Sequence, residues 1–220
     1  MSGGSLSPLQ HRVLELLAGM DPPWTLTGGA ALVAVHLGHR QTRDLDLFWR
    51  GQPELADAAR LVRERLTAGG LAVTVVQTGA SFERLLAADD FESVVVDLVA
   101  DPTPPLEAPM TVLIGTAPAQ VDTPHEILVN KLCTLLGRRE LRDLMDVRAL
   151  LAAGGDMPRA LTDAPRKDGG FSPLTLAWAV RGWPVEQLAA ASGLSTDEAA
   201  GLAEFRDDMI RQLTDAAAPE

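Results

Sequence analysis

Gly28-Gly29, followed about four helical turns of chain later by Asp44-Leu45-Asp46, constrains this 220-residue chain more than any other feature. The glycine pair reads as a strand-to-helix junction with backbone amides left open at the helix start. Side chains alternate along an extended segment, so Asp44 and Asp46 share one face while Leu45 and Leu47 take the other. Two carboxylates on one edge beside such a turn suit a divalent metal carrying a polyphosphate. Mg²⁺ takes oxygen ligands and keeps waters and phosphate oxygens in its shell, and helix-start amides favour phosphate. The competing reading is a polar hairpin whose aspartates pair with Arg40 and Arg43.

A second block lies downstream. Thr123-Pro124-His125-Glu126 has the form of a helix start, with Thr123 as N-cap, Pro124 at the first helical position and Glu126 reaching back. Ile127, Leu128, Leu132 and Leu135 make an apolar face on which Lys131 also falls, so Lys131 has to bury its stem and find an anion. The chain holds 17 arginines and only two lysines, Lys131 and Lys167. Where arginine serves as the general cation, a lysine on an apolar face implies a need for a compact ammonium. Phosphate contact and pairing with Asp143 or Asp146 both satisfy that need. Arg142 and Asp146, four residues apart on the next helix, are a candidate pair of their own.

The pattern of a hydrophobic residue, Gly28-Gly29, a short helix and Arg40-x-Thr42-x-Asp44-hydrophobic-Asp46 resembles the polymerase-beta-like nucleotidyltransferase superfamily. Together with Lys131 and the Arg142-Asp143-x-x-Asp146 segment, it is most similar to the AbiEii/AbiGii abortive-infection nucleotidyltransferase toxins. The resemblance covers residues 24–50 and 123–151. It implies an α/β (α+β) fold, a mixed-sheet nucleotidyltransferase core followed by a helical C-terminal part, divided at 1–118 and 119–220 with Lys131 and Asp146 facing the cleft.

The activity implied by the resemblance is in-line attack of an acceptor hydroxyl on a nucleoside triphosphate, with pyrophosphate leaving. Asp44 and Asp46 would hold Mg²⁺ or Mn²⁺; Gly28, Gly29 and Thr42 would position the triphosphate, with Arg40 doing the same work or fixing the two aspartates. Lys131 would neutralise phosphate charge, and Asp146 would orient Lys131 or stand near the acceptor. The wider superfamily also implies a third carboxylate on a neighbouring strand. Asp97, alone in the run Ser93-Val-Val-Val-Asp97-Leu-Val, is the candidate, since a buried acid needs a metal or a partner. It would be a metal ligand or the proton acceptor; the alternatives are a strand-end cap or a pair with an arginine such as Arg40.

The acceptor implied is a tRNA end, a protein hydroxyl or a small molecule as in antibiotic-modifying relatives, and the toxin family implies a cognate antitoxin. An inactive nucleotide- or partner-binding relative is the further alternative. A net charge of −11 disfavours broad nucleic-acid binding, although Lys131 to Arg148 carries five cations against three anions. Val185 to Ser195 has a helix-turn-helix outline, but Asp197, Glu198, Glu204, Asp207 and Asp208 beyond it would repel DNA. The single cysteine, Cys133, excludes an internal disulfide and suits a reducing cytoplasm. No apolar run spans a bilayer, and the opening Met-Ser-Gly-Gly-Ser lacks a signal pattern. His36 and His39 read as surface or capping groups.

The expected elements are a helix at 8–18, a strand at 24–27, a helix at 30–37, a strand at 44–49, a helix at 53–68 closed by Gly69-Gly70, and strands at 71–77, 92–99 and 110–114. Helices follow from 123, interrupted at Gly154-Gly155 and Gly169-Gly170.

Overall fold

The computed structural model describes residues 6–38 and 40–217, so the opening Met-Ser-Gly-Gly-Ser and His39 lie outside the described residues. The chain divides into two compact units, the first ending at Pro124 and the second beginning at His125. The first carries a mixed sheet and the second is all helical, the fold class expected.

Helix α1 (Pro8–Leu17) is opened by Ser7 in a capping box with Gln10 and buries Leu9, Val13, Leu14 and Leu17. Strand β1 (Thr25–Thr27) runs into α2 (Gly28–Ala31), which widens into a π-helical turn over Leu32–His36. Gly38, at φ +57°, ends that turn, its N–H bonded to the Leu32 carbonyl at 3.2 Å. Strand β2 (Asp44–Arg50) alternates as expected, with Leu45, Leu47 and Trp49 buried. Helix α3 (Ala58–Ala68) starts later than the sequence suggests. Ala56 takes a positive φ, and the Leu55 N–H bonds the Ala80 carbonyl at 2.9 Å instead of beginning a helical turn.

Strands β3 (Ala72–Thr78), β4 (Phe82–Ala88), β5 (Ser93–Asp101), β6 (Met110–Ile114) and β7 (Ala117–Val121) complete a sheet of order β3-β4-β5-β2-β1-β7-β6 among the described residues. Strands β4 and β7 were not expected. The Leu85-Leu86-Ala87-Ala88 half of β4 has no period-2 pattern and takes its form from pairing with β3 and β5. Strand β7 contains Pro118, but β1 pairs only with Gln120 and Val121, so the missing N–H falls outside that ladder. Parallel pairing of β2 with β5 and antiparallel pairing of β2 with β1 set the acidic strand at the centre of the sheet.

The second unit holds α4 (beginning at Pro124 and ending at Gly137), α5 (Leu141–Ala152), α6 (Met157–Asp163), α7 (Pro173–Arg181), α8 (Val185–Ala191) and α9 (Thr196–Asp215). Leu144, Val147, Leu176, Val180, Val185, Leu202 and Leu213 form its core. Ser172 and Ser195 open α7 and α9 with capping boxes. No helix among the described residues is long and apolar enough to cross a membrane.

Candidate functional site

Gly28 takes φ +62°, a left-handed conformation that glycine adopts without a steric penalty. A methyl group there would run into the Asp46 carboxylate. Glycine is therefore required twice at this position, for the turn and for the approach. At Gly29 an added methyl would lie 2.6 Å from Arg40 Nη2 and 3.2 Å from Thr42 Oγ1. The glycine turn thus sits against Asp46 on one side and the Arg40–Thr42 segment on the other. Thr42 Oγ1 donates to the Asp44 carbonyl at 3.3 Å, and Gln10 Nε2 on α1 donates to the Thr42 carbonyl at 3.2 Å.

Gly28→Ala is expected to lose more stability than Gly19→Ala. Gly19 has a similar φ, +66°, with no atom within 4 Å of an added methyl, so it measures the backbone strain alone, roughly 1–2 kcal/mol. Thermal unfolding of the two variants checks this; equal losses would show that the Asp46 carboxylate is not held against the turn.

Thr27, Asp46, Asp97 and Arg84 are consecutive register partners across β1, β2, β5 and β4, and so lie in one row on one face of the sheet. Asp44 is on the same face, two residues along β2. Asp97 is only 7% exposed. Its partner is Arg84 and not Arg40: Nε donates to Oδ1 and Nη2 to Oδ2, both at 2.7 Å. This is the planar two-bond fork that guanidinium makes with carboxylate. The hydrogen bond to Asp97 holds the Arg84 pKa above its ordinary value against the opposing effect of burial, and Asp44 and Asp46 add to the rise.

Among the described residues no three His, Cys, Asp or Glu side chains gather into a ready-made metal cage. Asp44 and Asp46, partly exposed on one strand face beside a glycine, suit a hard cation that takes one or two carboxylates and completes its shell with water and phosphate. His36 Nε2 lies 2.9 Å from the Asp122 carbonyl.

In the second unit, Lys131 on α4 is buried and points at two carboxylates from α5. Its Nζ lies 2.6 Å from Asp143 Oδ1 and 2.8 Å from Asp146 Oδ2, and both acids are fully buried. Arg138 Nε donates to Asp143 Oδ2 at 2.8 Å. Burial pushes the Asp143 carboxyl up, but Lys131 and Arg138 outweigh it and hold the pKa below the usual carboxylate value. The pairing that the sequence offered as an alternative for Lys131 is therefore present. Asp146 faces Lys131, and Arg142 Nε also lies 3.8 Å from Glu140 Oε2.

The side chain of the other lysine, Lys167, is largely covered, with Nζ 2.5 Å from Glu126 Oε1. Glu126 thus has a long-range partner beyond the capping expected of it, and the Thr123 hydroxyl donates to Glu107. Burial pushes the Cys133 thiol up to about 12, which makes it a packing residue and not a reactive one. Beyond the helix-turn-helix outline, Asp197, Glu204, Asp207 and Asp208 line one open groove on α9 together with Arg211.

The sequence reading missed Arg84, which has no motif around it and lies on the unexpected strand β4. The signal present was indirect: an acid in a run of valines needs a counter-charge, and Arg84 is an arginine on the strand next to it.

A family model described as "Nucleotidyl transferase AbiEii toxin, Type IV TA system" matches residues 12–218. No curated protein matches the chain. Among solved structures, a candidate nucleotidyltransferase from H. pylori is similar at 18% identity and a TM-score of 0.55, over 97% of this chain and 100% of that one. JHP933 from Helicobacter pylori is similar at 19% identity and a TM-score of 0.52, over 96% of each chain. An antigenic nucleotidyltransferase-like protein from Paracoccidioides brasiliensis is similar at 18% identity and 0.52, over 84% of this chain and 93% of that one. At these identities the likeness shows a shared fold.

Proposed function

The chain belongs to the AbiEii nucleotidyl transferase toxin family, and from that premise we propose that it transfers a nucleoside monophosphate from a nucleoside triphosphate to an acceptor hydroxyl, with Mg²⁺ or Mn²⁺ held by Asp44 and Asp46. The observation that carries this reading is the approach of the Gly28 backbone to the Asp46 carboxylate. There, a turn suited to phosphate meets a carboxylate suited to a cation.

In this proposal Gly28 and Gly29 offer backbone to the triphosphate, and Thr42 and Arg40 border it from the Gly29 side. A cation held by Asp44 and Asp46 would supply positive charge to offset that of the phosphates. The acceptor oxygen bonds to the α-phosphorus as the bond to the pyrophosphate oxygen breaks, and pyrophosphate leaves. The acceptor proton passes to a water, and Asp97, both of whose oxygens accept from Arg84, holds that guanidinium on the face of the site.

Lys131 and Asp146 enter through the family's Lys and Arg-Asp-x-x-Asp motif. By that motif Lys131 neutralises phosphate charge; within its own unit its ammonium meets Asp143 and Asp146. Asp146 orients Lys131. The acceptor is proposed to be a tRNA end or a protein hydroxyl, the setting a cytoplasmic toxin-antitoxin system with a cognate antitoxin.

Calorimetric titration with a non-hydrolysable nucleoside triphosphate tests the binding step. Binding that requires Mg²⁺ and is lost in the Asp44→Asn/Asp46→Asn double variant is expected. Binding unaffected by Mg²⁺ or by that variant would overturn the assignment of the metal site.

A further inference from the structure

Resting on the nucleotidyl-transfer reading, we propose that Arg84 stands where a second metal ion would otherwise sit, so that the site takes a single divalent cation, on Asp44 and Asp46. Asp46 and Asp97 are register partners on adjacent parallel strands. Their backbones are therefore about 4.8 Å apart and their side chains share a face. Two-metal phosphoryl-transfer sites hold their ions about 3.5–4 Å apart, so neighbouring carboxylates at this spacing are the arrangement a second ion would use. Here both oxygens of Asp97 instead accept the Arg84 fork at 2.7 Å.

The fork is built into the sheet. Arg84 pairs with Asp97 in the β4–β5 register, and its guanidinium lies 5.8 Å from the Phe82 ring centroid on the same strand. Arginine stays charged at any working pH, so Arg84 supplies a permanent positive charge at this position. The Arg84 side chain is 43% exposed while that of Asp97 is 10% exposed, so the cation, not the acid, is the group presented to the open face.

The test counts Mn²⁺ retained per bound nucleotide on the full chain, by equilibrium dialysis and electron paramagnetic resonance, with a saturating non-hydrolysable nucleoside triphosphate. One ion is expected in the wild type, two in Arg84→Ala, and one again in Arg84→Ala/Asp97→Asn, where the vacated acid is neutral. Two ions in the wild type would overturn the proposal, and that count needs no variant to fold. One ion in a folded Arg84→Ala would overturn it too, because removing the guanidinium would then have opened no site. Retention of neither nucleotide nor Mn²⁺ by the wild type would instead sink the transfer reading on which the proposal rests.

Discussion

Lys131→Ala is expected to destabilise the helical unit by about 3–5 kcal/mol, the cost of removing one partner from a buried ion pair. Its ammonium stands within 2.8 Å of both Asp143 and Asp146, and neither acid has measurable exposure. Asp143 keeps Arg138, whose side chain is half exposed, but no surface arginine replaces a buried point charge between two carboxylates. Urea unfolding followed by circular dichroism measures the loss. Pairing Lys131→Ala with Asp146→Asn should recover part of it, since one of the stranded charges is gone; a Lys131→Ala variant of wild-type stability would refute the argument. Lys131→Arg should fold better than Lys131→Ala yet lose most transfer activity, because a planar fork does not fit two acids converging on one atom. The same cluster sets an acid limb. The folded Asp143 pKa is lowered, so its contribution to stability is present above the unfolded value of about 3.9 and is lost as pH falls through the lower folded value.

Asp46→Ala is expected to reduce nucleotidyl transfer by about 10³-fold or more while leaving the fold intact. A cation that offsets phosphate charge contributes several kcal/mol to the transition state, and each 1.36 kcal/mol is tenfold in rate. Asp46 is half-buried on a strand face whose opposite side, through Leu45 and Leu47, carries the core packing. Truncating it removes a carboxylate without opening a core cavity, so thermal unfolding should change little. The Asp97–Arg84 fork makes no hydrogen bond through Asp46 and should persist. Residual activity within tenfold of wild type, in a variant that unfolds normally, would mean that Asp46 does not hold the cation.

What the sequence made legible were the features written in adjacent residues. Gly28-Gly29, the alternation of Asp44 and Asp46 with leucines, and the helix beginning at Pro124 are local patterns, and the structure has them. Asp97 stood out because an acid among valines is costly without a partner. The identity of that partner was not legible, since it depends on the β4–β5 register and β4 itself lacks a strand pattern. Glu126 shows the same limit. Its spacing from Thr123 reads as a cap, and nothing local shows that Lys167, far along the chain, also meets it. Local chemistry identifies candidate charges; the long-range pairs that decide what those charges do are set by packing.

The central claim is nucleotidyl transfer, and the most direct measurement incubates the full chain with each α-labelled nucleoside triphosphate, Mg²⁺ and total tRNA, beside Asp46→Ala. The account predicts label from at least one nucleotide on tRNA or on protein, dependent on Mg²⁺ and absent with Asp46→Ala. Label that persists undiminished in Asp46→Ala, or no label from any of the four nucleotides, would contradict it.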